Sequence, residues 1–432
     1  MSIIDYHLQH VLRRIIDNEP SETRRQLRNI LKCGQRLIPP GVGSLPVVAV
    51  LRSDDKQSTL FGHVHCKNPF CCPACSAKIM EGYRAKIASA IDMQEASGEW
   101  GFMATFTIPH ISSMSCRETT DILYKTWQYF KCKNKSSHAN STWVHPYRAF
   151  INETGVNSWV RVCEYTYGKA NGWHPHFHCI FWVPKENFDT VLDWEEKLCD
   201  FWLQQARRIA IKYWRDNKLH ENQDLETFAN LVFARTEEWK QALKFSRDGN
   251  GKLLKATSAN YMTGWTADRE LTGNRKKEAS HKNHYTPYQI LEMAEFDKHW
   301  ARVYIDFCLA VTRKPVHHRL NFSKNGICKR LAEWQKTHDV TSENVQKKNT
   351  WETVTFFYAD DWYEIYSKNR HAPVIANILY LAQNPEHEEL LFNYIESLGI
   401  PPKRRSHEYK PGWKVCDAIT DNFNHKVYEK IA

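Results

Sequence analysis

Apolar positions divide the chain into a helical N-terminal part, a centre rich in strands and a helical C-terminal part. Helical spacing over residues 1–30 is followed by a linker at residues 38–46, rich in proline and glycine, and by a short strand at residues 47–51. The region after Arg313 is predicted to be mostly helical and to end in a polar tail at residues 401–405.

The centre of the chain changes from helical spacing to short apolar, β-branched runs. Strands are predicted at residues 102–108, 158–167 and 174–183, and helices at residues 76–93, 119–130 and 185–214, with a further helix from Ser258. Strands and helices alternate without a regular βαβ period. The predicted fold class is therefore α+β, with an antiparallel sheet flanked by helices.

A histidine-rich hairpin stands out in this centre. Its second strand carries three histidines in alternation, His174, His176 and His178. Alternate side chains of a strand share one face, so the three imidazoles point the same way. A turn over residues 168–172 places Glu164 opposite His176, whereas a two-residue turn at residues 171–172 shifts the register and directs Glu164 to the other face.

Imidazoles at alternate positions of a strand can bind one divalent ion, with a carboxylate as a further ligand. A single histidine in this place would indicate an ordinary polar residue. Three in alternation, with Glu164 available across the hairpin, favour a metal site over an exposed histidine face.

A cysteine cluster upstream is typical of a structural zinc site. Cys72 and Cys75 have the spacing with which two thiolates reach one tetrahedral ion, and Cys66 and Cys33 are the best candidates for the other two ligands. Three further residues are substitutes: Cys71, His63 and His65. The alternatives are buried thiols that pack as small apolar side chains, or a redox pair.

Charge and composition add a class of partner. The chain has 59 Lys and Arg against 49 Asp and Glu, a net charge of +10, which suits a polyanion because each neutralised phosphate releases counterions. Some of its 16 Trp could stack on unpaired bases. No apolar run of membrane-spanning length and no secretory signal is found, so a cytoplasmic protein is expected.

Three segments resemble, in the same order, the motifs of rolling-circle replication initiators of plasmids and phages, members of the HUH endonuclease superfamily. They are Trp-Gly-Phe-Met-Ala-Thr-Phe-Thr-Ile-Pro-His at residues 100–110, Glu-Tyr-Thr-Tyr-Gly-Lys-Ala-Asn-Gly-Trp-His-Pro-His-Phe-His at residues 164–178, and Tyr-Met-Thr-Gly-Trp at residues 261–265. The likeness covers about residues 30–325. It includes a Cys…Cys-Pro-x-Cys element before the nuclease.

The resemblance implies roles for individual residues. His176 and His178 would be ligands of a catalytic Mg²⁺ or Mn²⁺ ion, with Glu164 as the third ligand and His174 as a neighbour or alternative. Tyr261, which local sequence alone would rank as an ordinary tyrosine, would be the nucleophile. The family's lysine three residues after that tyrosine is replaced by Gly264. Two residues are candidates for DNA contacts: Lys255 and Trp265.

The implied architecture is a helical region and linker at residues 1–60, a cysteine-rich zinc-like element at 61–95, an HUH nuclease at 96–315 and a helical region at 316–432. The implied activity is metal-dependent nicking of one origin strand, giving a 5′-phosphotyrosyl link and a 3′-hydroxyl, and later rejoining. Origin DNA, unpaired at the nick, a host helicase and a host polymerase are the expected partners. The alternatives are an HUH transposase, a non-catalytic, zinc-containing DNA-binding protein, and an unrelated metal-dependent hydrolase that uses the histidine hairpin and water.

Overall fold

A computed structural model of the chain describes residues 3–37, 47–54, 56–131, 145–217, 242–257, 284–312, 319–338, 351–368, 374–401, 413–415 and 428–430. Numbered in chain order, the described helices are α1 (Ile3–Asp17), α2 (Ser21–Gln26), α3 (Arg28–Leu31), α4 (Pro73–Ala96), α5 (Cys116–Phe130), α6 (Pro146–Thr154), α7 (Glu195–Asn217), α8 (Pro287–Met293), α9 (Lys298–Thr312), α10 (Ile327–Thr337), α11 (Ala359–Lys368), α12 (Val374–Ala382) and α13 (Glu388–Ser397). Short 3₁₀ helices lie at Lys185–Asn187, Asp189–Trp194 and Pro385–His387.

The described strands are β1 (Val47–Ser53), β2 (Ser58–Phe61), β3 (Glu99–Phe106), β4 (Ser158–Gly168), β5 (Gly172–Pro184), β6 (Leu243–Phe245), β7 (Lys255–Ala256), β8 (His284–Tyr285), β9 (Leu320–Phe322), β10 (Trp351–Tyr358), β11 (Trp413–Val415) and β12 (Tyr428–Lys430). All the pairings among them are antiparallel. The predicted α+β class with an antiparallel sheet and helices is therefore confirmed. Among the described residues, no helix has both the length and the apolar character that a bilayer span requires.

The chain forms two compact units. One comprises Met1–Met80, Leu291–Thr312 and Asp339–Ala432, and the other comprises Glu81–Ile290 and Arg313–His338. In the first unit, β1 pairs with both β2 and β10, α1 packs against α9 and α12, and α12 also contacts β1 and β2. Apolar side chains from sheet and helices form its core, among them Val48, Val50, Leu60, Phe357, Trp362, Leu379 and Leu391.

The second unit is built on a sheet with seven described strands, in which β5 lies between β3 and β4. β6 and β7 pair with β3, whereas β8 and β9 pair with β4. One face of this sheet is aromatic and packs against α5 and α7 through rings that include Phe102, Phe106, Phe177, Trp127 and Trp202.

The opposite face of this sheet is covered over part of its length by α4 and α10. The side chains involved are buried and apolar: Met103, Val160, Val162, Ile180 and Trp182 from the strands, and Ile87, Ile91, Ile327 and Leu331 from the helices. The histidines of the hairpin lie nearer the start of β5 on this same face, because they are an even number of positions from Ile180 and Trp182.

Two predicted helices are broken in the structure. The helical pattern over residues 1–30 is divided into α1, α2 and α3. Pro20 separates α1 from α2, because it has no amide hydrogen to continue the hydrogen-bond ladder of α1. The helix predicted at residues 185–214 begins only at Glu195, after two 3₁₀ helices. Val191 and Trp194 are buried there, and a pattern of buried positions does not distinguish a 3₁₀ turn from an α turn.

A strand lies where the C-terminal region was predicted to be mostly helical. β10 has the sequence Trp-Glu-Thr-Val-Thr-Phe-Phe-Tyr, which is rich in β-branched and aromatic residues. Its partner is β1, about 300 positions earlier, with Val48 opposite Phe357 and Val50 opposite Thr355. A partner so distant along the chain leaves no local signal beyond composition.

Candidate metal centres

The register of the β4–β5 hairpin decides which side chains meet. Gly168 pairs with Gly172, and Glu164 pairs directly with His176, so the turn is the five-residue one of the two alternatives. Gly172 has φ +77°, and a Cβ at this position would lie 3.0 Å from the Cα of Ser112. A glycine is therefore required both by the left-handed backbone and by the close approach.

This register brings Glu164, His176 and His178 together. His176 Nε2 lies 3.6 Å and His178 Nε2 lies 3.4 Å from the same carboxylate oxygen of Glu164, Oε2. All three residues are almost completely buried, with exposed fractions of 4–8%. One ligand atom from each lies within 4.8 Å of the others, so the group is able to hold a metal ion.

In both imidazoles, the Nδ1 atom lies within hydrogen-bond distance of an oxygen. His178 Nδ1 lies 3.0 Å from the Thr105 hydroxyl on β3, and His176 Nδ1 lies 3.2 Å from the backbone carbonyl of His174. An Nδ1–H that donates to an oxygen fixes the tautomer and leaves the Nε2 lone pair free. In His176 the carbonyl can only accept, so Nδ1 is the donor and the lone pair is on Nε2, the nitrogen nearest Glu164. The Thr105 hydroxyl is able to accept from His178 Nδ1 in the same way, and His178 Nε2 is likewise the nitrogen nearest Glu164.

The distances between these donor atoms fit a small divalent ion. An ion about 2.1 Å from each donor holds neighbouring donors roughly 3.0–3.4 Å apart, depending on coordination geometry. The observed 3.4 and 3.6 Å need only a small contraction to reach that range. The donor set of two imidazoles and one carboxylate suits several divalent metals and does not by itself select one.

His174 is not part of this three-residue group. Its ring is centred 5.2 Å from that of His176 and 4.9 Å from that of His110, which follows β3. Burial and then the neighbouring His110 hold the pKa of His174 well below its ordinary value. His110 was not predicted as a site residue, although it ends the motif at residues 100–110. Thr105, in the same motif, was also missed.

Of the two predicted DNA contacts, the structure describes only Lys255. Lys255 pairs with Phe102, three positions along β3 from Thr105, and its ammonium forms an ion pair with Glu95 and lies 4.5 Å from the centre of the Trp100 ring. Tyr261, Gly264 and Trp265 lie outside the described residues.

A lysine that was not predicted lies on the face of the histidines. Lys244 on β6 pairs with Thr105, and Thr105 pairs on its other side with His178. Directly paired residues of an antiparallel sheet point to the same face, so these three side chains form one row across three strands. Lys244 is exposed, whereas its neighbours Leu243 and Phe245 are buried on the aromatic face.

The second group consists of Cys33, Cys66, Cys72 and Cys75, the four cysteines predicted as a zinc site, all in the first unit. Cys33 Sγ lies 3.5 Å from Cys75 Sγ and 3.6 Å from Cys72 Sγ, and Cys66 Sγ lies 3.6 Å from Cys75 Sγ. Four thiolates about 2.3 Å from a tetrahedral ion are about 3.8 Å apart, so the group fits zinc closely.

One of the predicted substitutes for these cysteines, His65, lies beside the group, whereas the Cys71 thiol contacts Asn68. His65 Nδ1 lies 3.7 Å from Cys75 Sγ, and Cys71 has its thiol 3.4 Å from Asn68 Oδ1. Burial alone would lower the pKa of His65, but hydrogen bonds to Cys33 and Cys75 raise it to about 9. Hydrogen bonds with Cys66 and Cys72 hold the pKa of Cys33 well below its usual value, and hydrogen bonds with Cys33 raise the pKa of the Cys66 and Cys72 thiols.

Comparison with known proteins gives two distant relatives. The "Neomycin resistance protein" of Streptomyces cyanogenus is 25% identical over 149 residues, which cover 32% of this chain and 34% of the relative. "Protein rep" of Streptomyces lividans is 26% identical over 151 residues, which cover 32% of this chain and 33% of the relative. The match thus spans about a third of the length of each curated relative. No family model matches the chain, and no solved structure matches it significantly.

Proposed function

We propose that this chain is a rolling-circle replication initiator that nicks and rejoins one strand of origin DNA, with an HUH nuclease core in its second unit. The observation that carries the proposal is the buried group of Glu164, His176 and His178 on one face of an antiparallel sheet. The distant similarity to the Streptomyces protein named rep supports the same function, as does the order of the three sequence motifs.

The two groups of possible ligands would hold different metals. A Mg²⁺ or Mn²⁺ ion on Glu164, His176 and His178 would polarise a non-bridging oxygen of the scissile phosphate. The four-cysteine group would hold a structural Zn²⁺, since four thiolates leave no open position for a substrate. Thr105 and the carbonyl of His174 would keep the two imidazoles oriented throughout the reaction.

Tyr261 is the proposed nucleophile. Its phenol oxygen would form a bond to phosphorus as the bond from phosphorus to the 3′ oxygen breaks. The products are a 5′-phosphotyrosyl link and a 3′-hydroxyl that takes up the proton. An aryl phosphodiester retains the energy of the broken bond, so the same centre can rejoin the strand. The 3′-hydroxyl would prime a host polymerase behind a host helicase.

Among the cations that the structure describes, Lys244 is the one we propose to meet the phosphate. Two strand spacings of about 4.8 Å, roughly 10 Å in all, separate the backbone of Lys244 from that of His178. Its ammonium is exposed on the face of the ligand group. We assign to Lys244 the neutralisation of the scissile phosphate or the one beside it, whereas the sequence had suggested Lys255 as a DNA contact.

The test is formation of a covalent adduct. Purified protein is incubated with Mn²⁺ and single-stranded oligonucleotides that tile the DNA flanking its gene, and adducts are detected by denaturing gel. The unaltered chain should give an SDS-resistant adduct with one cleaved oligonucleotide and release a product ending in a 3′-hydroxyl. Glu164→Gln should lose cleavage, and Tyr261→Phe should lose the adduct while oligonucleotide binding persists.

Tyr129→Phe is the matched control, because Tyr129 is an exposed tyrosine on α5, away from the ligand group. It should form the adduct at the rate of the unaltered chain. Cleavage at an unchanged rate by Tyr261→Phe would remove Tyr261 from the mechanism. Tight binding of one oligonucleotide without any cleavage would favour the non-catalytic DNA-binding protein.

A further inference from the structure

A row of basic side chains runs along α2 and α3, in the first unit. Residues 20–37 contain five Arg or Lys and one acidic residue, Glu22. The basic ridge is defined as the four residues Arg24, Arg28, Lys32 and Arg36. Arg24, Arg28 and Arg36 are exposed, and Lys32 is half-buried. The ridge alone therefore carries four positive charges, on a chain whose net charge is +10.

The local backbone aligns the first three of these cations. Hydrogen bonds of the i to i−4 type, Arg24 N to Pro20 O and Lys32 N to Arg28 O, are 3.0 Å long and hold the segment in helical turns. Residues four apart on a helix share a face, and each step advances about 6 Å. The buried side chains of the segment are Leu27, Ile30 and Cys33, which lie on the opposite side.

The cations of the ridge act on one another. Lys32 lies between Arg28 and Arg36, four positions from each along the chain. Glu22 forms an ion pair with Arg25, outside the ridge. Like charges held side by side are unfavourable for the isolated protein, and a polyanion that neutralises them removes that cost.

The four-cysteine group anchors the end of the ridge. Cys33 directly follows Lys32, and beyond it Gly34 N donates to Val64 O at 2.8 Å while Val64 N donates to Arg36 O at 2.6 Å. A metal ion bound through Cys33 would therefore fix the last two cations of the ridge relative to the cysteine-rich segment. The shape of the charged surface would thus depend on metal binding by the four-cysteine group.

We infer that the basic ridge is a binding surface for the phosphate backbone of double-stranded DNA. The proposal rests on the proposed function for the choice of DNA as the polyanion, and it adds a second contact surface in the first unit. Proteins that hold single strands combine basic grooves with aromatic side chains, and residues 20–37 contain no aromatic residue. Membrane-surface helices need an exposed apolar face, but here that face is buried.

The experiment measures binding of a 30-base-pair duplex of mixed sequence by fluorescence anisotropy at several salt concentrations. Mg²⁺ and Mn²⁺ are omitted and no chelator is added, so that nicking is not required. The test variant is Arg24→Gln with Arg28→Gln and Arg36→Gln. These are exposed positions, and glutamine has a helix propensity close to that of arginine. Circular dichroism of the variant should match that of the unaltered chain.

We expect the slope of log K against log salt to fall by about 3, since each phosphate contact contributes about 0.9. At 0.1 M salt the Kd should rise at least roughly tenfold. The control replaces three exposed arginines of α7, on the aromatic side of the sheet in the second unit: Arg207→Gln, Arg208→Gln and Arg215→Gln.

Two further ligands, a single strand of the same length and vesicles of phosphatidylserine, are measured with the same proteins. The proposal is overturned if the ridge variant keeps the duplex Kd and salt slope, if the control loses as much, or if only single-strand or vesicle binding falls. A selective loss of duplex binding supports it even if no adduct forms with any oligonucleotide. The binding experiment can therefore reject the ridge proposal without rejecting the nicking proposal, and the adduct experiment can do the reverse.

Discussion

At the scale of single residues, the ligand group depends on neighbours that are not ligands themselves. The Thr105 hydroxyl and the backbone carbonyl of His174 each lie within hydrogen-bond distance of an imidazole Nδ1, and the Nε2 atoms of both imidazoles face Glu164. An imidazole without such a partner can rotate or change tautomer, and metal affinity then falls.

Thr105→Val should weaken Mn²⁺ binding by about 10–100-fold, because the isosteric side chain removes the oxygen that orients His178. Isothermal titration calorimetry with Mn²⁺ measures the change. Thr105→Ser keeps the hydroxyl and should stay close to the affinity of the unaltered chain. Equal losses in both variants would show that packing at this position, rather than the hydroxyl, is what matters.

Lys244→Gln should reduce the salt dependence of single-stranded DNA binding by about 0.7 in log–log slope, the loss of one phosphate contact. Anisotropy titrations with a cleavable oligonucleotide, without divalent metal, give this slope. Lys252→Gln, an exposed lysine in the turn before β7, is the control and should change it little. A larger effect from Lys255→Gln than from Lys244→Gln would indicate that Lys255, and not Lys244, makes the phosphate contact.

At the scale of elements, the hairpin turn determines whether Glu164 lies on the same face of the sheet as His176 and His178. The pairing of Gly168 with Gly172 fixes the register, and a shift by one residue would direct Glu164 to the aromatic face. The turn also lies against the backbone of Ser112, which leaves no room for a side chain at Gly172.

Gly172→Ala should lower the free energy of unfolding by about 1–3 kcal/mol, since an L side chain is strained at φ +77° and would press on Ser112. Urea unfolding followed by circular dichroism measures the loss. Gly82→Ala is the opposite control: it lies in α4, where an added Cβ would meet open space, and should stabilise by about 0.5–1 kcal/mol. A neutral Gly172→Ala would show that the turn tolerates another conformation.

At the scale of the whole molecule, the four-cysteine group joins segments that are far apart in sequence. Cys33 follows the N-terminal helices, and Cys66, Cys72 and Cys75 lie more than 30 positions later. Next to Cys33, the carbonyl of Gly34 accepts a hydrogen bond of 3.0 Å from the buried indole of Trp362 in the core of the first unit. A metal ion bound at this group would therefore contribute to the stability of that core.

Cys75→Ser should remove one zinc ion per chain and lower the melting temperature by about 10 °C, because the binding free energy of a structural zinc ion contributes to folding. Elemental analysis and differential scanning calorimetry measure the two quantities. Cys328→Ser, at an exposed cysteine on α10, should leave both unchanged. A zinc content unaffected by Cys75→Ser would mean that His65 or another residue replaces the ligand.

The sequence by itself determined what depends on neighbouring residues. Alternation placed His174, His176 and His178 on one face of a strand, and the Cys-x-x-Cys spacing marked Cys72 and Cys75 as a pair. The short apolar runs predicted β3, β4 and β5, and the absence of a βαβ period indicated the α+β class. Each of these follows from backbone geometry within about ten residues.

Only the tertiary structure decided what depends on strand pairing and on contacts between distant segments. Strand register chose the turn that brings Glu164 to His176, left His174 beside His110, and added Thr105 and Lys244 through β3 and β6. The same holds for β10, whose strand conformation depends on β1. Local propensity specifies what a segment can form, but a shared metal ligand set is specified by which segments pair and in which register.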